Sequence, residues 1–185
     1  EKLKTFVGLK VNNNKSKLYF SKSTKDKHII MSILHMQESK LPVKYLGVPL
    51  SHNYLHFSDC GALFDNINNR LNGWDCKLLS IAGRLELIHS VITPMVLYWM
   101  MVYQLPMATI DKLNKLCANF IWNGKVHKIS WNILCSPKLE GGVGLRNFTD
   151  LRKAASIKLL WHFINSKNIW ARWMCKRYCD NKQFW

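Results

Sequence analysis

The chain has 185 residues, of which 48% are hydrophobic and 21% are charged, and this balance is typical of a folded globular protein and excludes a disordered one. Its 27 Lys and Arg residues against 11 Asp and Glu residues give a formal net charge of +16. Fold stability does not require such an excess, so the charge favours a polyanionic partner, with nucleic acid the leading candidate. A lysine-rich surface without such a partner is the alternative.

The six cysteines are spread along the chain, and no signal peptide is recognisable ahead of them. This pattern favours free thiols over a disulfide framework and predicts an intracellular protein, nuclear and/or cytoplasmic and not secreted. Cys175 and Cys179 could share a helix face near His162, but no second ligand pair occurs at zinc-finger spacing, so no metal site is predicted. The most apolar run, 91–105, is interrupted by Pro94 and is shorter than the roughly 20 residues of a membrane span. It is therefore predicted to be core, and no membrane partner is expected.

The stretch LPVKYLGVPL at 41–50 is predicted to be a short strand or a tight hairpin bent at Gly47. Proline fixes φ and removes a donor, and glycine lets another backbone or a ligand approach closely. Ahead of it, 8–16 contains a turn signal, 18–20 is typical of a short strand, and 24–37 is compatible with helix or strand. Because the segments after it have helical periodicity, the stretch is interpreted as a junction between two structural units.

Three amphipathic helices are predicted after this junction. Ser58 and Asp59 are suitable N-caps for the first, and Ser80 is a suitable N-cap for the second. Pro106 opens the third at a first-turn position, and Asn123–Gly124 ends it. Their apolar residues recur at steps of three and four, so the three helices are expected to form a compact bundle.

The last third of the chain is predicted to contain a hairpin and then helix. Residues 129–145 have strand-like ends around Pro137 and a Gly141–Gly142 turn, so a hairpin is the simplest interpretation. Asn147 or Thr149 begins a helical region that continues towards the C terminus. This region is apolar on several sides, so neighbouring elements are expected to cover it.

Five sequence blocks together resemble the closing part of a reverse transcriptase from a non-LTR (LINE-type) retrotransposon, of the sort abundant in plants. The blocks are GLKVNNNKS at 8–16, LPVKYLGVPL at 41–50, WDCKLLSIAGRLELIHSV at 74–91, FIWNG at 120–124 and SPKLEGGVGLRNF at 136–148. The resemblance implies an α+β, predominantly α-helical fold. It places the end of the palm with a primer-grip hairpin in 1–50, a helical thumb in 51–124, and a hairpin plus C-terminal helices in 125–185.

The resemblance also implies roles for particular residues. Lys15 would lie beside the incoming nucleotide, and the primer grip would be formed by Lys44, Tyr45, Leu46 and Gly47. Contacts to template–primer phosphates would be made by Lys77, Arg84, Lys112 and Lys115. The implied partners are an RNA template, a DNA primer, and the upstream fingers and palm segment of the same polyprotein.

Purely structural roles stay open for some of the same residues. Tyr45 and Leu46 could simply pack the junction. Arg84 could cap a helix or form an ion pair with Glu86 or Glu1. In either case the side chain would support the fold and would not need to contact nucleic acid.

The chain departs from the family in one respect, because the paired catalytic aspartates lie upstream of the first block and no Asp–Asp pair occurs here. Nucleotidyl transfer needs two metal ions held by adjacent carboxylates. No catalytic residue is therefore predicted, Mg²⁺ is expected only for the full-length RNA-directed DNA polymerase, and the chain alone is expected to be inactive. The alternatives are a stand-alone nucleic-acid-binding module and a tryptophan-rich helical protein-interaction domain.

Overall fold

The computed structural model describes residues 8, 12–13, 15–21, 23–50, 54–74 and 78–179. The chain divides into two compact units, Glu1–Asn53 and Tyr54–Trp185. The first contains two small sheets of two strands each, and the second is helical. The predicted α+β fold with helix predominating is confirmed, whereas the functional division into palm, thumb and C-terminal region stays a prediction.

The first unit is built from short elements: β1 (Lys17–Leu18), α1 (Lys27–Leu34), β2 (Gln37–Glu38), β3 (Val43–Tyr45) and β4 (Val48–Leu50). Strands β1 and β2 pair in parallel, and β3 and β4 form an antiparallel hairpin. An ion pair of 3.6 Å between Lys27 and Glu38 links α1 to β2. Helix α1 buries none of its side chains, and Ile29 and Ile33 are exposed.

The described part of the second unit contains six α-helices: α2 (Gly61–Asn72), α3 (Ile81–Val102), α4 (Met107–Trp122), α5 (Trp131–Cys135), α6 (Phe148–Asn165) and α7 (Ile169–Tyr178). Two 3-10 turns, Phe57–Cys60 and Lys138–Glu140, precede α2 and follow α5. Ser80 caps α3 as predicted, because its Oγ accepts a hydrogen bond from the Gly83 amide at 3.2 Å. Asp59 instead closes the first 3-10 turn, accepting from the His56 amide at 2.9 Å, so Asp59 is not the N-cap of α2.

The core of the second unit lies among α2, α3, α4 and α6. Helix α6 packs on the second half of α3 and on α4, while α4 also contacts the first turns of α3. Each helix contributes one apolar face, as amphipathic helices of a bundle do. The fully buried side chains include Leu63, Ile67, Ile88, Ile92, Val96, Ile110, Leu113, Ile121 and Phe148.

Helix α3 changes its hydrogen bonding in the segment Ile88–Ile92, which is π-helical. Pro94 has no amide N–H and cannot donate to the carbonyl one turn before it. The amide and the Oγ1 of Thr93 both donate to the Ile88 carbonyl, the latter at 2.9 Å. By length and composition α3 is the one described helix that could cross a membrane, with a mean hydropathy of 1.5, but a core helix passes the same test.

The predicted hairpin over 129–145 is wrong. Every residue of this segment is described, and it forms α5, the turn Lys138–Glu140 and an extended return without a strand. The segment is too short for its periodicity to separate strand from helix, and burial of Leu134 in the bundle decides in favour of helix. The loop returns to the end of α5 through two hydrogen bonds, from the Val143 amide to the Leu134 carbonyl and from the Gly144 amide to the Ser136 carbonyl.

The C-terminal helical region is interrupted and is less covered than expected. Asn147 caps α6 by accepting from the Thr149 amide at 2.9 Å, and Asn168 caps α7 by accepting from the Ala171 amide at 2.7 Å. Residues 166–168 separate the two helices. Phe148 and Ala155 are the buried side chains of α6, so the expectation that neighbours cover all its apolar sides is wrong for the described part of the chain.

Gly142 provides a test of the corrected 129–145 segment. A Cβ on Gly142 would overlap the Ser136 carbonyl and approach the Ile133 carbonyl oxygen to 2.8 Å. We expect Gly142→Ala to lower the free energy of unfolding by about 2 kcal/mol, the usual cost of overpacking a tight site. Thermal unfolding followed by circular dichroism measures it. Gly61→Ala, where a Cβ meets nothing within 4 Å, is the matched control; equal melting temperatures for the two variants would contradict the packing described.

Candidate nucleic-acid interface

The hairpin β3–β4 contains the four residues predicted to form the primer grip. Val43 pairs with Leu50, Lys44 with Pro49 and Tyr45 with Val48, so the connecting turn consists of Leu46 and Gly47 alone. Side chains alternate along a strand, and directly paired residues share a face. Tyr45 therefore lies on the face that carries the buried Val48, and Lys44 lies on the opposite face with Pro49.

The turn of this hairpin requires both of its residues to be left-handed. Leu46 has φ 49° and Gly47 has φ 90°, the pattern of a type I′ turn, whose twist matches that of the flanking strands. Glycine adopts this conformation freely, whereas leucine in the left-handed region costs on the order of 1 kcal/mol. A strained apolar residue thus occupies the tip, with 73% of its surface exposed.

The conformation of this turn explains why residue 47 is a glycine. A Cβ on Gly47 would meet no atom within 4 Å, so space does not exclude a larger residue there. The positive φ of Gly47 disfavours a larger residue, since non-glycine residues rarely adopt this conformation. The close approach of a ligand that Gly47 would allow concerns a bound state and stays a prediction.

Lys15 lies in the first unit, on a turn stabilised by Asn12. The Lys15 amide donates to Asn12 Oδ1 at 3.3 Å, and Ser16 Oγ donates to the Asn12 carbonyl at 2.8 Å. The side chain of Lys15 is exposed. Its predicted place beside an incoming nucleotide stays a prediction.

Helix α4 presents a basic line along its exposed side. Lys112, Lys115 and Asn119 follow one another at steps of three and four, so they share a face. All three are exposed, while Ile110, Leu113, Cys117 and Ile121 on the opposite face are fully buried. The burial of one face therefore fixes the direction in which the lysines point.

The segment after α4 extends this line. His127 Nε2 lies 3.0 Å from Asn119 Oδ1, which ties the exposed segment 123–130 to the helix. The segment also carries Lys125 and Lys128, and Asp111 is the only acidic residue between 107 and 130. We call Lys112, Lys115, Asn119, Lys125, His127 and Lys128 the α4 basic edge. Sequence periodicity did not single out the last three, because they follow the end of the helix.

Lys112 is held in place by aromatic rings. Its Nζ lies 4.0 Å from the ring centroid of Phe64 and 5.4 Å from that of Phe57. A cation over aromatic faces gains about 0.5–1 kcal/mol at an exposed site. The ammonium group is thus positioned at the edge of α2.

Arg84 has a structural contact that bears on its predicted phosphate role. One guanidinium nitrogen, Nη1, donates to the Ile121 carbonyl of α4 at 2.7 Å, in a partly buried position. That carbonyl lies in the last turn of α4, where the helix dipole is negative and a cation is stabilising. Arg84 therefore joins the start of α3 to the end of α4. This contact corresponds to the capping role that the sequence left open. The contact of Arg84 with phosphate stays a prediction.

Lys77 lies outside the described residues. Among those that are described, no three His, Cys, Asp or Glu side chains are grouped to hold a metal ion. This part of the chain therefore does not fit the Mg²⁺ site of a polymerase, and no chemical step is assigned to it.

The five described cysteines are free thiols. Burial raises the pKa of Cys117 to about 12 and, with the Asp150 carboxylate adding to the effect, raises that of Cys135 to about 11. Burial also raises the pKa of Cys60, whose Sγ accepts a hydrogen bond from Thr109 Oγ1 at 3.4 Å. These three thiols stay protonated at neutral pH and are not nucleophiles.

Comparison with known proteins finds similarity to a plant protein and to a transposon protein. No protein-family model matches it. A putative ribonuclease H protein of Arabidopsis thaliana is 31% identical over 137 residues, which cover 71% of this chain and 22% of the relative. The Transposon TX1 uncharacterized 149 kDa protein of Xenopus laevis is 30% identical over 117 residues, which cover 58% of this chain and 8% of that protein.

The chain therefore spans less than a quarter of the length of either relative. The two similarities point to a retrotransposon-related protein, which agrees with the broader part of the resemblance. They do not distinguish a thumb or a primer grip from other parts of such a protein.

The contact of Arg84 leads to a prediction about stability. A hydrogen bond from a charged donor contributes about 1.5–3 kcal/mol, so we expect Arg84→Met to lower the free energy of unfolding by about 2 kcal/mol in urea denaturation. Lys115→Gln removes an exposed charge and should change it by less than about 0.5 kcal/mol. If Arg84→Met left stability unchanged and weakened RNA–DNA binding alone, Arg84 would be a phosphate contact and not a fastening between helices.

Proposed function

We propose that this chain contributes template–primer binding to RNA-directed DNA synthesis, as the late palm, primer grip and thumb of a non-LTR retrotransposon reverse transcriptase. The observation that carries the proposal is the α4 basic edge, a line of polar and basic side chains along α4 and the segment that follows it. Its orientation is set by the bundle core and does not depend on a partner. The relationship to transposon proteins supports the same class of function.

The geometry of the α4 basic edge suits a duplex backbone. Lys112 and Asn119 are seven residues apart, which is about 10 Å along a helix, and the segment tied on by His127 lengthens the line further. Lysine contacts phosphate as a point charge without reading the base sequence. An RNA–DNA duplex would therefore be bound through its backbone and its shape.

The hairpin β3–β4 supports the primer-grip part of the proposal. Its tip places an exposed leucine in a strained conformation on a two-residue turn, and such strain persists where the surroundings or a function require it. The exposed apolar side of α1 fits a palm fragment that packs on the upstream segment of the same polyprotein. No chemistry is assigned to this chain, because the family's aspartate pair lies upstream of the matching blocks, and Mg²⁺ would be held by the complete enzyme.

The exposed apolar residues of α6 favour a second candidate, a helical protein-interaction domain. Ile157, Leu160, Trp161 and Ile164 lie at the spacing of a single helix face, and Ile157 and Trp161 are 66% and 69% exposed. Contiguous exposed apolar surface of this kind marks interaction sites. This candidate predicts no salt-sensitive binding of nucleic acid, which separates it from the first.

Salt dependence tests the α4 basic edge. Affinity for an RNA–DNA duplex should fall steeply with salt, since each phosphate contact contributes about 0.9 to the slope of log K against log salt on B-form DNA and a similar amount here. The double variant Lys112→Gln with Lys115→Gln should reduce that slope by about 2. Fluorescence anisotropy at several salt concentrations measures it, with Lys153→Gln on α6 as the matched control. A flat response of the unchanged chain would favour the protein-interaction candidate.

Leu46 tests the primer grip more cleanly than Gly47, because any side chain at Gly47 strains the turn. Asparagine tolerates the left-handed region, so Leu46→Asn keeps the hairpin and removes the apolar tip. In the longer protein that includes the catalytic segment, we expect primer extension to slow by up to about 100-fold, the cost of a primer end displaced by 1 Å. Duplex affinity should change little. Leu139→Asn, at an exposed leucine of the turn Lys138–Glu140, is the control. An unchanged extension rate for Leu46→Asn would leave the hairpin as a packed junction.

A further inference from the structure

Helix α7 exposes aromatic and basic side chains that are not part of the α4 basic edge. It buries only Ala171 among its ten residues, while Trp170, Trp173 and Tyr178 are 45%, 57% and 64% exposed. Arg172, Lys176 and Arg177 are exposed on the same helix. Aromatic rings of this size are rarely left in water without a function.

The charge of this region is one-sided. From residue 151 to residue 179 the chain contains seven Lys and Arg residues and no Asp or Glu. Asp150 and Asp180 flank this stretch, so residues 150–180 contain seven basic and two acidic residues and stay strongly cationic. A polyanion is the partner whose charge complements such a surface.

Helix α7 is anchored, so its side chains have a fixed support. Asn168 caps its first turn, and the Trp170 ring packs edge-on against Phe163 of α6 with 5.9 Å between centroids. A groove of about 370 Å³ lies between the two helices and is lined almost entirely by apolar atoms. The residues around it include Leu159, Leu160, Phe163, Trp170, Met174 and Tyr178.

The arrangement of rings and cations distinguishes between anionic partners. Trp173 shares its helix face with Lys176 and Arg177, which lie three and four residues further on. A helix that lies on a membrane separates its apolar face from its basic face, whereas here the ring and the cations are interleaved. Interleaving suits a polymer in which flat bases and phosphates alternate, and a duplex hides the faces of its bases.

We propose that α7 is a binding surface for single-stranded nucleic acid, on which Trp173 stacks against a base while Lys176 and Arg177 contact the adjacent phosphates. The exposed Trp170 and Tyr178 extend the surface to the mouth of the groove. This goes beyond the proposed template–primer binding, since a duplex on the α4 basic edge needs no exposed ring on α7. It places unpaired template or product strand on the C-terminal helices.

The test compares ring and aliphatic replacements at one position. Binding of a fluorescein-labelled single-stranded RNA of about 12 nucleotides is measured by anisotropy, beside an RNA–DNA duplex of the same sequence. We expect Trp173→Leu to weaken single-strand binding about tenfold and Trp173→Phe less than about threefold, because phenylalanine keeps a ring for stacking. Duplex binding should stay unchanged in both variants. Trp161→Leu, which removes an exposed ring from α6, is the matched control and should bind single strands normally.

Equal affinities for Trp173→Leu and Trp173→Phe would overturn the proposal. The proposal would also be overturned if Trp173→Leu weakened binding only to vesicles containing phosphatidylserine or only to polyglutamate. Such a result would indicate a membrane or an acidic protein as the partner. Circular dichroism checks folding, and the pair Lys176→Gln with Arg177→Gln gives an independent measurement that should reduce the salt dependence of single-strand binding alone. Loss of duplex binding in the α4 lysine variants with single-strand binding intact would show that the two surfaces act separately, as proposed.

Discussion

The burial of one face of α4 is the constraint on which the second unit depends. Ile110, Leu113 and Ile121 are fully excluded from water, and α4 contacts α3, α6 and the turn Phe57–Cys60. Burying a large aliphatic side chain contributes about 1.5–3 kcal/mol, so the helix cannot rotate about its axis without losing several such contributions. The opposite face, with Lys112 and Lys115, is thereby presented to solvent in a fixed direction. A surface that is rigid before binding loses less entropy when a partner arrives.

Arg84 connects this constraint to the rest of the bundle. Its bond to the Ile121 carbonyl joins the start of α3 to the end of α4, next to the point where the chain turns at Asn123 and Gly124. The segment 123–130 leaves from that turn and is tied back by His127. The positions of Lys125 and Lys128 therefore depend on the contact between Arg84 and Ile121, which are far apart in sequence. The same arginine cannot give its whole hydrogen-bonding capacity to a phosphate while it holds this carbonyl.

Much of the helical architecture could be predicted because it is encoded locally. The period of three and four gave the buried and exposed faces of α4, and the caps Ser80 and Asn147 were identified from residue type and position. The hairpin at 129–145 was predicted wrongly because so short an apolar segment satisfies either period, and the burial of Leu134 decided the outcome. The bond of Arg84 and the contact between His127 and Asn119 could not be predicted, since both require the tertiary arrangement. The exposure of apolar side chains on α6 was not predicted. An apolar composition shows that a helix face can be buried, but it does not show which element buries it.

Photo-crosslinking tests the central claim that the α4 basic edge lies on the template–primer backbone. An RNA–DNA duplex with photoreactive groups on its phosphates would be irradiated with the chain, and the crosslinked peptides would be identified by mass spectrometry. We expect crosslinks to concentrate in peptides that cover α4 and the segment 123–130, and to disappear at high salt, where counterions screen the phosphates. Crosslinks that avoid these peptides while duplex binding persists would contradict the claim.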